Sequence, residues 1–137
     1  MIRRLTEPEL IAEGESLGRL LAPQSIVALE GELGAGKTTF AQAVARGLGV
    51  LAPASSPTYG LVHRYEGRRG PVFHLDCYRL KRPDEAADLD WETLLAEGDA
   101  VLVEWPERAG PWLPRPTRRI RFLHLPDELL RGMEELD

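Results

Sequence analysis

The run Gly31-Glu32-Leu33-Gly34-Ala35-Gly36-Lys37-Thr38 has the spacing G-x-x-x-x-G-K-[ST], a loop suited to holding phosphate. Gly31 and Gly36 permit backbone conformations closed to other residues, so amide N–H groups can turn inward together. Gly34 adds freedom in mid-loop. Lys37 is spaced to reach the β and γ oxygens of a nucleoside triphosphate, and the Thr38 hydroxyl to ligate Mg²⁺. A helix starting at about Lys37 would aim the positive end of its dipole at the same oxygens. Lys37 and Lys81 are the only lysines in a chain rich in arginine, which suggests that arginine would not serve at position 37.

Such a site also needs an acid for the metal shell and a group that orients water. In open parallel sheets these stand where strands end, beside the phosphate loop. Asp76 ends Val72-Phe73-His74-Leu75, and Glu104 ends Val101-Leu102-Val103. Glu104 is assigned to the metal and Asp76 to catalytic positioning of water, with the two roles open to exchange. The bland alternative for either is a strand-end acid that caps a helix or faces water. Ser55-Ser56-Pro57-Thr58-Tyr59-Gly60 offers hydroxyls that could sense a γ-phosphate, and Thr58 is counted among the nucleotide contacts. Trp105 would either stack on adenine or fill the core.

The elements that must position these groups can be read from pattern. Thr6 caps a helix over Glu7 to Leu21, with Glu9 at the capping-box spacing and Pro8 in the first turn. Ser25 to Glu30 and Ala100 to Glu104 are continuous apolar runs, the mark of strands covered on both faces. Thr38 to Leu48 follows the glycine loop as a helix. Leu61 to Tyr65 and Pro71 to Leu75 predict a hairpin turning at Glu66 to Gly70. Pro83 to Ala96 predicts one or two short helices, and Pro106 to Pro116 a loop. Arg118 to Leu125 alternates, which predicts an outer strand, and Asp127 to Leu136 predicts a terminal helix. The absence of repeats and long linkers predicts one domain over residues 1–137. Its expected architecture is a three-layer α/β/α P-loop NTPase fold with a mostly parallel central sheet and an inserted hairpin.

Composition narrows the class. A formal net charge of −5 argues against a protein that grips nucleic acid by itself. No apolar run approaches the roughly 20 residues of a membrane span. The single cysteine, Cys77, fits a reducing compartment, and a cytoplasmic protein is expected. Asparagine is absent, which fits either a hot-growing source or a GC-rich genome. It also excludes the N-K-x-D word with which guanine readers commonly select their base, so ATP is favoured over GTP. The rivals are a small-molecule kinase, for which little length is left for a lid and acceptor pocket, and a nucleotide-gated switch with incidental turnover. The arginines at 115, 118, 119 and 121, and those at 68 and 69, read as solvated charge before they read as a tRNA face. Arg79 could contact phosphate or a partner.

Together the words Gly31 to Phe40, Ser56-Pro57-Thr58-Tyr59, His74-Leu75-Asp76-Cys77-Tyr78-Arg79-Leu80 and Val103-Glu104-Trp105-Pro106 resemble the bacterial TsaE family, in order and spacing over nearly the whole chain. The resemblance implies an ATPase that binds and slowly hydrolyses ATP with Mg²⁺ and acts with a TsaB–TsaD pair. In that pair TsaD transfers threonylcarbamoyl to N6 of the adenosine beside the anticodon, in tRNAs reading codons that begin with A. tRNA would be met only through the complex. By the family pattern, Leu33, Gly34, Ala35, Gly36, Lys37, Thr38 and Thr39 form the phosphate cradle, and Thr38 and Glu104 hold magnesium. Ser56 to Tyr59 is a switch-like loop, Asp76 an activity-critical acid and Trp105 a neighbour of the nucleotide. Departures are Cys77 for a larger apolar residue, Gly60 for a common threonine, and Asp88-Leu89-Asp90-Trp91 where a Leu-Gly pair is usual.

Overall fold

The apolar runs on either side of the glycine loop become neighbours at the centre of one sheet. Strand β2 (Ser25–Gly31) lies parallel to β5 (Ala100–Glu104), in register from Ser25↔Ala100 to Leu29↔Glu104. Every residue of β5 is buried, as a strand covered on both faces must be. The computed structural model describes residues 1–51 and 61–136, so Thr58 and the rest of the expected switch-like loop up to Gly60 lie outside the described residues.

Five further strands complete the sheet. β4 (Pro71–Asp76) runs parallel to β5 and sets Asp76 opposite Glu104. β3 (Val62–Glu66) pairs antiparallel with β4 at the edge. On the other side β6 (Arg118–His124) runs parallel to β2, followed by β7 (Leu130–Leu136) and β1 (Arg3–Thr6), each antiparallel to its neighbour. The order is β1-β7-β6-β2-β5-β4-β3, and only β7 and β3 run against the other five.

Two expectations are corrected here. Asp127 to Leu136 is not a helix: Leu130–Leu136 is strand β7. Its Leu, Arg and Glu residues favour helix locally, but the open edge of β6 supplies a complete backbone ladder. Arg121–Glu134 and Arg118–Glu135 ion pairs reinforce that ladder from the side chains. β6 is therefore interior to the sheet and not an outer strand. The expected hairpin is present as β3 and β4, and β4 also runs parallel to β5 within the sheet.

Helix α1 (Glu7–Leu20) starts at a complete capping box. The Glu9 amide donates to Thr6 Oγ1 at 3.3 Å, and the Thr6 amide to Glu9 Oε1 at 2.9 Å. It packs along α2 (Lys37–Gly47) with backbone against backbone. A Cβ on Gly18 would stand 2.2 Å from the Val44 carbonyl oxygen and 2.8 Å from Gly47 Cα. Gly18→Ala should therefore force the helices apart and lower unfolding free energy by about 3 kcal/mol. Urea denaturation reads the change, and an unshifted midpoint would contradict this close approach.

Both helices cover one face, burying Leu10, Phe40 and Val44 against Val27, Leu29, Leu102 and Phe122. The Phe40 and Phe122 rings meet with centroids 5.2 Å apart. The opposite face, with Phe73, Leu75, Val101 and Val103, is covered by α3 (Trp91–Glu97) and by 3₁₀ turns. The third layer is thus present but thin. Among the described residues no helix is long and apolar enough to cross a membrane.

Candidate functional site

At the C-terminal end of β2 the chain leaves the sheet through Gly31, whose φ of +137° and lack of a Cβ are both required. A Cβ there would stand 2.3 Å from the Phe122 carbonyl oxygen. The loop closes at Gly36, φ +112°, which caps α2 with no side-chain acceptor. The first amides of α2 are therefore left for a ligand, at the positive end of the helix.

Lys37 is folded into this loop and is only 4% exposed. Its ammonium donates to the carbonyls of Gly31 and Glu32, each at 2.6 Å, and lies 4.2 Å from the centroid of the Trp105 ring. Burial lowers its pKa, opposed by the charges of Glu104, Glu107, Asp76 and Glu32. Trp105 reaches this place through a left-handed backbone, φ +56°, uncommon for a bulky residue. It also packs on Tyr78, with ring centroids 4.9 Å apart, and beneath the Arg108 guanidinium at 5.7 Å. The indole thus bridges the loop and the 3₁₀ turn Cys77–Arg79.

Thr38 and Glu104 meet directly, the hydroxyl donating to Oε1 at 2.8 Å. Two hard oxygen donors side by side at the head of the glycine loop suit Mg²⁺. Glu104 Oε2 accepts from His74 Nε2 at 2.5 Å, and His74 Nδ1 faces the Tyr65 hydroxyl at 3.2 Å. Neither His74 nor Tyr65 had been singled out as a site residue. The available signal was a histidine two positions before Asp76, on the same face of a strand otherwise apolar. Asp76 has a local task as well, since Oδ1 accepts from the Tyr78 amide at 3.1 Å and caps the turn.

A cleft of about 650 Å³ joins these groups. Leu33, Gly34, Gly36, Lys37, Thr38 and Thr39 line it from the loop and α2, and Asp76, Glu104 and Trp105 from the ends of β4 and β5. The cleft continues past the start of α1 at Thr6 to Pro8, Leu129 of the β6–β7 turn and Arg131 at the start of β7, none of which was expected at the site. Ala35 is buried beneath the loop, and its amide donates to the Glu32 carbonyl at 3.1 Å. Arg79 is not among the lining residues. Arg118, Arg119 and Arg121 pair with Glu135, Glu30 and Glu134, so these arginines serve the sheet. Arg69 likewise bonds Asp99 and the Leu21 carbonyl.

A family model described as threonylcarbamoyl adenosine biosynthesis protein TsaE matches residues 5–131. The chain belongs to the TsaE family. Curated relatives named tRNA threonylcarbamoyladenosine biosynthesis protein TsaE include one from Nostoc, 42% identical over 74% of this chain and 64% of its own length. The relative from Aquifex aeolicus is 38% identical over 77% of this chain and 76% of its own. The one from Bacillus subtilis is 35% identical over 85% and 73%. The solved structure of Bacillus subtilis YdiB superposes with a TM-score of 0.76 and 26% identity, covering 98% of this chain and 86% of that one.

Two departures from the TsaE pattern have structural accounts. Cys77 is buried in the second core, and burial beside Asp76 pushes its thiol up to about 12, so it packs as a small apolar residue. Asp90 caps α3 by accepting from the Thr93 amide at 3.1 Å, and Trp91 Nε1 donates to the Ala86 carbonyl at 2.9 Å. The segment Asp88 to Trp91 thus serves as the entry to a short helix. Gly60 lies outside the described residues.

Proposed function

We propose that this TsaE-family chain binds ATP with Mg²⁺ and hydrolyses it in tRNA threonylcarbamoyladenosine synthesis, together with a TsaB–TsaD complex. The observation that carries the reading is the convergence of Lys37, the Thr38–Glu104 pair and Asp76 on one glycine loop, at the ends of three parallel strands. Family membership supports the pathway, and the family resemblance supplies the partners.

On this reading Lys37 exchanges its two carbonyl acceptors for phosphate oxygens, while the free amides at the start of α2 take the rest of the charge. Thr38 and Glu104 would hold magnesium, which supplies Lewis-acid charge to the β- and γ-phosphates. Asp76, which lines the same cleft, would orient the attacking water. The stretch from Thr6 to Leu129 and Arg131 leaves room for the nucleoside. Hydrolysis by the isolated chain is slow because an open cleft admits bulk water and leaves the transferred charge incompletely enclosed. The partner complex supplies the missing cover, and tRNA is met through that complex.

The decisive assay is phosphate release from ATP, with and without TsaB–TsaD. Wild-type turnover should rise markedly with the complex. Asp76→Ala should keep ATP affinity within about threefold and lose roughly a hundredfold or more in turnover, the scale of a lost proton-handling or positioning group. Wild-type turnover in Asp76→Ala would remove its assigned role. Equal rates with and without partners would remove the idea that they complete the site.

A further inference from the structure

Glu104 is only 3% exposed, and a carboxylate so placed must satisfy both of its oxygens. Thr38 takes one. The other is taken from behind by His74, itself 4% exposed in the middle of β4. A carboxylate only accepts, so His74 Nε2 carries the proton of that bond. Nδ1 is then the acceptor, and the buried Tyr65 hydroxyl on β3 stands 3.2 Å away to donate to it. The chain Thr38–Glu104–His74–Tyr65 thus runs from the glycine loop across β5 and β4 to the edge strand, with each polar group used once.

Core filling does not account for this arrangement. The residue before His74 on the same face is Val72, fully buried and apolar, and an apolar side chain at 74 would pack there equally well. What it would remove is the donor that keeps Glu104 from turning. A carboxylate with one loose oxygen can rotate to offer either oxygen to the Thr38 hydroxyl, to meet Lys37, or to point away from both. With His74 on Oε2, Oε1 is left beside the Thr38 hydroxyl, where a magnesium ion bound to a triphosphate would lie.

We propose that His74, fixed by Tyr65, is a positioning residue that aims Glu104 at the magnesium ion of the bound nucleotide. The proposal rests on the ATP–magnesium reading of the cleft and adds to it two residues remote from the nucleotide itself. Partners that orient a ligating group in this way set metal affinity by about 10- to 100-fold when removed.

The test separates metal from nucleotide. ATP affinity is measured by calorimetry in EDTA and again in excess magnesium, and their ratio is the gain that magnesium provides. The set is wild type, His74→Gln, His74→Asn and Tyr65→Phe, each first shown to melt cooperatively. Glutamine places an amide donor near the position of Nε2, whereas asparagine ends near Nδ1 and falls short of Glu104. Affinity in EDTA should stay within about twofold throughout. The magnesium gain should fall about tenfold or more in His74→Asn, recover to within severalfold in His74→Gln, and fall severalfold in Tyr65→Phe. Equal gains in His74→Asn and wild type overturn the proposal. So does an equal loss in EDTA and in magnesium, which marks a merely structural role. Should the His74 variants lose their cooperative melt, Tyr65→Phe decides alone, and an unchanged gain overturns the proposal. Wild type that binds no ATP in either buffer would instead sink the ATP reading beneath it.

Discussion

Lys37→Ala lowers affinity for magnesium–ATP by at least about a hundredfold in calorimetric titration. Each charge-assisted hydrogen bond from an ammonium to phosphate is worth about 1.5–3 kcal/mol, and two of them account for a loss on this scale. The dehydration of the ammonium has already occurred, since Lys37 is buried in the loop before any ligand arrives and its pKa is lowered for that reason. ATP therefore gains the charge without stripping its water. The same substitution should change unfolding free energy by only about 1–2 kcal/mol. It deletes two bonds, to the Gly31 and Glu32 carbonyls, but also removes a buried cation. Wild-type affinity in a folded Lys37→Ala protein would refute the function assigned to the loop.

Glu104→Ala should lower unfolding free energy by about 2 kcal/mol. It strands one buried partner, His74 Nε2, while the Thr38 hydroxyl, exposed to the cleft, turns to water. Its effect on ATP is distinct from that of Lys37→Ala. Affinity in EDTA should hold or rise slightly, because a negative charge beside the triphosphate has gone, while the benefit of magnesium disappears. Chemical denaturation and calorimetry read the two effects separately. A Glu104→Ala protein whose ATP binding still strengthens with magnesium would place the metal elsewhere.

Much of this site was legible because its parts announce themselves locally. The apolar run at residues 100–104 marks a strand buried on both faces, and the acid closing it stands where the strand ends. The glycine loop has its residue types dictated by backbone freedom and charge, and the start of α1 by the reach of Thr6 and Glu9. The pairing of Asp76 with Glu104 across β4 and β5 was not legible, because register between strands is a tertiary property. His74 was missed for the same reason: its meaning lies in the Glu104 and Tyr65 that the sheet brings to it. β7 was misread because local helix preference lost to an open strand edge, and β1 because four residues, two of them exposed, carry little pattern. With those two strands unrecognised, β6 could only look like the border of the sheet.

The glycine contact between α1 and α2 reaches beyond packing. Both helices begin at the cleft, and their backbones touch at Gly18, Val44 and Gly47, two to three turns further on. Welded there, they form a single stiff side of the cleft. The other wall is built differently, from Tyr78 and Trp105 on short turns, so a load on the cleft would be borne by α1 and α2 before it reached those rings.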